Sequence, residues 1–302
     1  MKPVRLGIIA IALFVTVCPV LSQGGATGLT FLTLGVGSRS LGMAEAYSAA
    51  SDDPSAAQYN PATLTSIDAT TISFMHRSWI QGTDAEFLAG AFSLGAVSLG
   101  LSLYSVSTGD IEVRDTPGPA LSTFTARNAA FGISIAYAFS TELSLGVTAK
   151  YLYEKILVDD AGGTAFDVGG TYRTPFGVSV GASVSNLGSM SELGSEATSL
   201  PKFFRGGFSY AANLADHPAT LTGAVDIVAP LGDGTSHVHF GGEALLYESI
   251  SVRAGYQTGY EARGFTAGTG IRHGVVAIDY AFMPTRYELG ATHAITLSLR
   301  LR

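Results

Sequence analysis

Apolar residues recur at every second position along most of this chain. In "VSLGLSLYS", Val97, Leu99, Leu101 and Leu103 share one face, and in "FGISIAYAF" Phe131, Ile133, Ile135, Tyr137 and Phe139 do so. The same period appears at Val178, Val180, Ala182 and Val184, at Ile250, Val252, Ala254 and Tyr256, and at Ile295, Leu297, Leu299 and Leu301. Period-two alternation means β-strands with one apolar face. It predicts about fourteen strands, near 70–79, 85–94, 96–107, 126–139, 142–156, 163–174, 176–186, 203–212, 218–228, 236–247, 249–258, 263–272, 274–284 and 292–302. An even number of segments of this length suits a transmembrane antiparallel β-barrel.

The charged positions favour lipid over a soluble core. A Lys or Arg facing the bilayer midplane costs about 2–4 kcal/mol, so mid-strand charges belong on the face away from lipid. Lys150, Asp167, Arg205, Asp226, Glu243, Arg253, Asp279 and Arg300 all fall on the phase opposite the apolar one. Lys155 shares the apolar phase, but at a strand end where it can snorkel to water. A soluble sandwich would also separate its faces. Here, however, the polar phase is Gly, Ser, Ala and Thr with isolated charges, as in a crowded lumen where opposite charges pair. The connections sort into long and short in turn. The longest lie at 108–125 and 186–202, against "LGA", "STE" and "RHG" on the other side. Phe139, Tyr210, Tyr256 and Phe282 fall near strand ends on the apolar phase, where girdles form. Trp79 and Tyr104 fall on the other phase.

Composition agrees. The 302 residues are 47% hydrophobic and 14% charged, against about 25% charged in ordinary soluble domains. Lys2 and Arg5, the apolar run Leu6–Val20 and the small residues after it predict a cleaved export signal over 1–23. Its removal takes away Cys18, the one cysteine, and lowers Lys plus Arg from 17 to 15 against 24 acidic residues, a formal −9. That balance excludes nucleic acid as a partner.

Residues 24–68 do not alternate. "SDDPSAAQYNPATL" reads as a short helix capped by Asp52 or Asp53, with Pro54 in its first turn and Pro61 as its stop. The closely spaced Gly35, Gly37, Gly42 and Ala44 suit a tight site. The segment is therefore expected to be a hatch folded into the periplasmic mouth of a barrel over 69–302.

Here the chain resembles a known group. "GVGSRSLGMAEAYSAASDDPSAAQYNPATL" is similar to the N-terminal signature of the PorV/PorQ outer-membrane proteins, relatives of the FadL long-chain fatty-acid transporters. Gly42, Met43, Asn60, Pro61 and Ala62 carry the hatch motif; "FDVG", "SNLG" and "LP" follow in order. Glu45 stands where the group usually has glycine, and the chain ends Leu301-Arg302 rather than on an aromatic residue. The resemblance implies a fourteen-stranded barrel of the outer membrane that binds or shuttles secreted cargo. The partners it implies are the C-terminal domains of secreted proteins and a translocon or attachment complex, in a type IX-like export system. The rims at 108–125 and 186–202 would do the binding.

The alternative is a FadL-like passive transporter of hydrophobic small molecules, with hatch movement near Asn60-Pro61-Ala62 opening a route. A transporter needs an apolar inward pocket. The inward phase reads as Gly, Ser, Thr and charge, which favours the partner-binding barrel. Nothing calls for a cofactor. His237 and His239, with Glu243 nearby, are too few for a metal site. No serine sits in a nucleophile elbow, so the chain is expected to have no enzymatic activity.

Overall fold

The computed structural model describes residues 28–301, apart from 80–81, 195–197, 215–216, 233 and 288–289. The signal at 1–23, hatch residues 24–27 and Arg302 lie outside the described residues. Fourteen antiparallel strands form one closed barrel. They are β1 Thr70–Ser78, β2 Thr83–Leu94, β3 Val97–Val113, β4 Ser122–Ala138, β5 Leu143–Ile156, β6 Asp159–Arg173 and β7 Val178–Met190, followed by β8 Phe203–Asn213, β9 Ala219–Pro230, β10 His237–Leu246, β11 Ile250–Gln257, β12 Phe265–His273, β13 Val276–Pro284 and β14 Ala291–Leu301. The ring closes where β1 pairs β14, from Thr70↔Leu301 to Ser78↔His293. Closure removes both edges, which a lipid-embedded sheet requires. The chain enters β1 and leaves β14 at the same end, here called the lower end.

The apolar phase faces outward. Ile133, Val168, Val252 and Ile278 are each 49–53% exposed, as residues in a lipid-facing belt are. Phe139 and Tyr210 stand at the lower edge of this belt, and Tyr256 and Phe282 near its upper edge. Trp79 and Tyr104 point inward.

Three upper connections differ from expectation. Residues 108–125 are not one loop, because β3 and β4 run on together to Val113↔Ser122. A bulge between Thr108 and Ile111, with Asp110 at φ 54°, flips the alternation there and masks the strand. β7 likewise continues past Val184 to Met190, across a bulge of Ser185 and Asn186 opposite Asp167. β5 and β6 are joined by only Leu157 and Val158, since Ile156 pairs with Asp159.

Residues 28–68 lie inside the barrel and run its height, rather than filling the lower mouth alone. Gly28 donates to the Ser199 carbonyl beyond the top of β7 (3.0 Å), while Asp68 ends the segment at the foot of β1. Two short helices, α1 Ser38–Gly42 and α2 Ala56–Tyr59, sit between 3-10 turns at Thr30–Thr33 and Pro61–Ser66. α2 ends at Tyr59, with Asn60 extended before Pro61, so the helix stops where the proline predicts. Pro61 begins the second 3-10 turn, whose Ala62 N–H is capped by the Asn60 side chain (3.1 Å). Below the hatch a polar cavity of 1440 Å³ opens at the lower end, lined by Arg39, Asp53, Arg253 and Asp279 among others.

Candidate functional site

The lumen has three parts. The lowest is an ionic clamp on α1. Arg39 bonds Glu243 through both Nε (2.9 Å) and a terminal nitrogen (2.8 Å), and also pairs with Asp52. Arg253 bonds Glu243 (2.5 Å) and Asp279 (2.7 Å). Glu243 thus accepts from two guanidinium groups, one from the hatch and one from the wall.

The middle part holds the turn after α1. Asp226 accepts from the Tyr47 N–H (2.9 Å), the Ser48 N–H (2.9 Å) and the Ser48 hydroxyl (2.7 Å). Arg205 donates to the Glu45 carbonyl (2.6 Å) and lies 5.0 Å from the Tyr59 ring centroid. Its other terminal nitrogen stands 3.6 Å from the Glu45 carboxylate. Burial alone would raise the Glu45 carboxyl, but Arg263, Arg205 and Arg77 outweigh it and hold the group below the usual carboxylate range. A lowered folded value contributes stability above the unfolded value and loses it as pH falls through the folded one. Hydrogen-exchange protection of residues 38–48 is therefore expected to be equal at pH 8 and pH 5. A loss between those values would contradict the pairing.

Glycines explain how the hatch fits. Met43 and Ala44 press on Gly241 and Gly255, and Gly42 meets Gly268. A Cβ on Gly146 would stand 2.6 Å from the Pro61 carbonyl carbon, and one on Gly169 would overlap the Asn60 amide oxygen. Asn60 also donates to Ser48 O (2.9 Å) and Gly170 O (3.0 Å). The glycine-rich inward phase is thus a docking surface for backbone.

The eight wall charges singled out in the sequence do not form one network. Lys150 pairs with Asp167 (2.6 Å) against the β7 bulge, where Asn186 donates its N–H to Asp167 (2.8 Å) and its side-chain amide to Pro201 O (2.9 Å). That brings "FDVG", "SNLG" and "LP" to one place. Arg205 and Asp226 form a second group at 3.5 Å. Glu243, Arg253 and Asp279 form a third. Arg300 stands apart at the lower rim, paired with Asp68. Sequence reasoning missed that the hatch answers these charges, through Arg39, Glu45, Tyr47 and Tyr59.

The upper part corrects the view of the lumen as polar throughout. Leu29, Phe31, Leu32 and Leu34 sit in an apolar chamber walled by Met75, Phe87, Tyr104, Val106, Leu152 and Leu200. Phe31 lies 5.5 Å from Tyr104, and Phe87 packs edge-on to Tyr104 at 5.9 Å. The β11–β12 connection folds in from above. Tyr260 stacks on His237 (3.7 Å) and bonds His239 (3.1 Å), while Arg263 reaches Glu45 at 3.8 Å. His237 and His239 therefore face Tyr260, and Glu243 faces arginines. Among the described residues no group of three His, Cys, Asp or Glu could hold a metal ion.

No protein-family model matches the chain, and none of the curated proteins matches it. Solved structures do match in fold. The chain is similar to the toluene transporter TodX of Pseudomonas putida (13% identity, TM-score 0.62, 87% of this chain and 97% of that one). It is similar to the monoaromatic hydrocarbon channel CymD (13%, TM-score 0.62, 92% and 99%). A FadL homologue of Pseudomonas aeruginosa also matches (12%, TM-score 0.54, 88% and 98%). These likenesses show the fold, a closed antiparallel barrel like those of the channels. They do not show a PorV/PorQ membership.

Proposed function

We propose that this chain is a passive outer-membrane conduit for small hydrophobic molecules. On this reading the upper end faces the cell exterior, and the ligand lodges in the apolar chamber by displacing the arm at 28–34. The observation that carries the reading is the division of the hatch. Residues 38–66 are held by ion pairs, side-chain hydrogen bonds and glycine docking. The arm is held by apolar contact, with sparse polar tethers from Gly28 to Ser199 (3.0 Å) and from Gln58 to the Leu32 carbonyl (3.5 Å). An apolar segment in an apolar chamber is what a hydrophobic ligand can replace at low cost. The names of the fold relatives, hydrocarbon channels and a toluene transporter, support the same reading.

The export reading from the sequence placed binding on two rims, and less of each is loop than the sequence suggested. Residues 109–113 and 122–125 are strand, and 199–201 fold inward against Gly28 and Asn186. The test is binding of N-phenyl-1-naphthylamine to the purified protein in detergent. Phe31→Ala with Leu32→Ala weakens the competing arm, so apparent affinity should rise by about tenfold. If neither protein binds the probe, the conduit reading fails. Co-purification of a secreted β-domain together with a translocon subunit would return the export reading.

A further inference from the structure

Each inward-facing cation of the lower and middle lumen has an acidic partner. Lys150 has Asp167, Arg205 has Glu45 and Asp226, and Arg253 has Glu243 and Asp279. Arg77 differs. It is 3% exposed, on the inward face of β1, and among the described residues no carboxylate oxygen lies within 4.0 Å of it. Among the described residues its Nε has no hydrogen-bond partner. One terminal nitrogen donates to the Gly35 carbonyl (3.2 Å), and the guanidinium lies 5.3 Å from the Trp79 ring centroid. Glu45, the acidic side chain of this part of the hatch, is shared by Arg205 and Arg263. Tyr104 repeats the pattern: it is 2% exposed and its hydroxyl has no partner among the described residues. The two residues flank β2, where Ala85 and Phe87 lie between them in register. Two buried donors therefore stand beside the apolar residues that pack the arm, with Asn128 and the buried Glu154 further round the same inward row. A chamber for bare hydrocarbons gains nothing from them, because an unpaired buried donor costs stability.

We infer that the upper chamber selects an aromatic carboxylate, with the carboxylate on Arg77 and Tyr104 and the ring in the place of Phe31. This deepens the conduit reading and rests on it. The ring is specified by what is already there, since the Phe31 phenyl sits against Tyr104, which Phe87 also packs against. The head is specified by Arg77, whose planar fork matches a carboxylate. A cavity of 30 Å³, lined by Arg77, Trp79, Gln257, Arg263, Thr266 and Met283 among others, leaves free space beside the guanidinium.

Trp79 is the one tryptophan of the chain, so its emission reports on this site directly. The full-length protein in detergent is titrated with 4-ethylbenzoate, ethylbenzene and dodecanoate. Ethylbenzoate should bind at least about tenfold tighter than ethylbenzene, as a charge-assisted bond implies. Arg77→Met should remove that preference and leave ethylbenzene within about twofold, whereas Arg77→Lys should restore part of it. Tyr104→Phe should reduce the preference by about threefold. Heat-modifiable gel mobility shows that each variant is a folded barrel. Equal binding of ethylbenzoate and ethylbenzene, or an unchanged preference in Arg77→Met, overturns the inference and leaves the conduit standing. Tighter binding of dodecanoate overturns the aromatic assignment. If none of the three binds, the conduit reading falls as well.

Discussion

Asp226→Ala should release the hatch from a barrel that stays closed. Asp226 is 1% exposed and belongs to β9, yet its acceptors serve Tyr47 and Ser48 of the hatch. Removing the carboxylate orphans two buried N–H groups and a hydroxyl, at about 1–3 kcal/mol for each buried donor left unmet. It also takes one of two acidic partners from Arg205. The total, on the order of 4 kcal/mol or more, falls on one segment rather than on strand pairing. Hydrogen exchange should therefore quicken in peptides spanning 38–66 and stay slow in β1–β14. Ion conductance across planar bilayers should rise, because the lower cavity then connects with the upper chamber. Asp226→Asn keeps an oxygen acceptor and should lose much less. Wild-type protection of 38–66 in Asp226→Ala would show that the glycine contacts and the Arg39 clamp hold the hatch without it.

The second large effect lies in the wall. Asp167 is fully buried and Lys150 nearly so, and they meet at 2.6 Å beside the β7 bulge. A buried ion pair is weak evidence for net stability, but breaking one side leaves an uncompensated charge, at about 3–5 kcal/mol. Lys150→Met should therefore lower barrel stability by that amount in urea titrations of the protein folded in liposomes. Lys150→Met combined with Asp167→Asn should recover most of the loss. The amide oxygen still accepts the Asn186 N–H, and no charge is left unpaired. A single mutant within about 1 kcal/mol of wild type would mean that water or neighbouring donors compensate the Asp167 carboxylate without Lys150.

The two effects differ in what the sequence could foretell. Both residues were visible as charges on the phase away from lipid, because side-chain direction follows strand parity. Their partners were not. Asp167 meets Lys150 through β5–β6 register, which a hairpin with a short turn makes nearly local. Asp226 meets Tyr47 across about 180 residues, and no periodicity records such a contact. The bulges at Thr108–Ile111 and Ser185–Asn186 mark a further limit. One extra residue reverses the parity, so a strand that continues looks like a strand that ends.

The inward phase shows the same limit. Its glycines were legible as small, but not as seats for Met43, Pro61 and Asn60. Phe87, Tyr104 and Val106 were a minority among polar neighbours along their strands. Closure gathers them with Met75 and Leu152 at one height, and the arm at 28–34 completes the apolar chamber.

The sequence by itself determined that this chain is a transmembrane barrel of about fourteen strands with a non-alternating segment before it. Alternation, charge parity and loop asymmetry are local properties, and each strand carries its own copy of the evidence. Only the tertiary structure decided what the lumen is: clamped below, packed by the apolar arm above, with no carboxylate oxygen of the described residues within 4.0 Å of Arg77. Those features depend on which strands stand opposite one another across the barrel and on where the hatch lies between them. Such contacts join residues far apart in sequence, and their geometry exists only once the ring is closed.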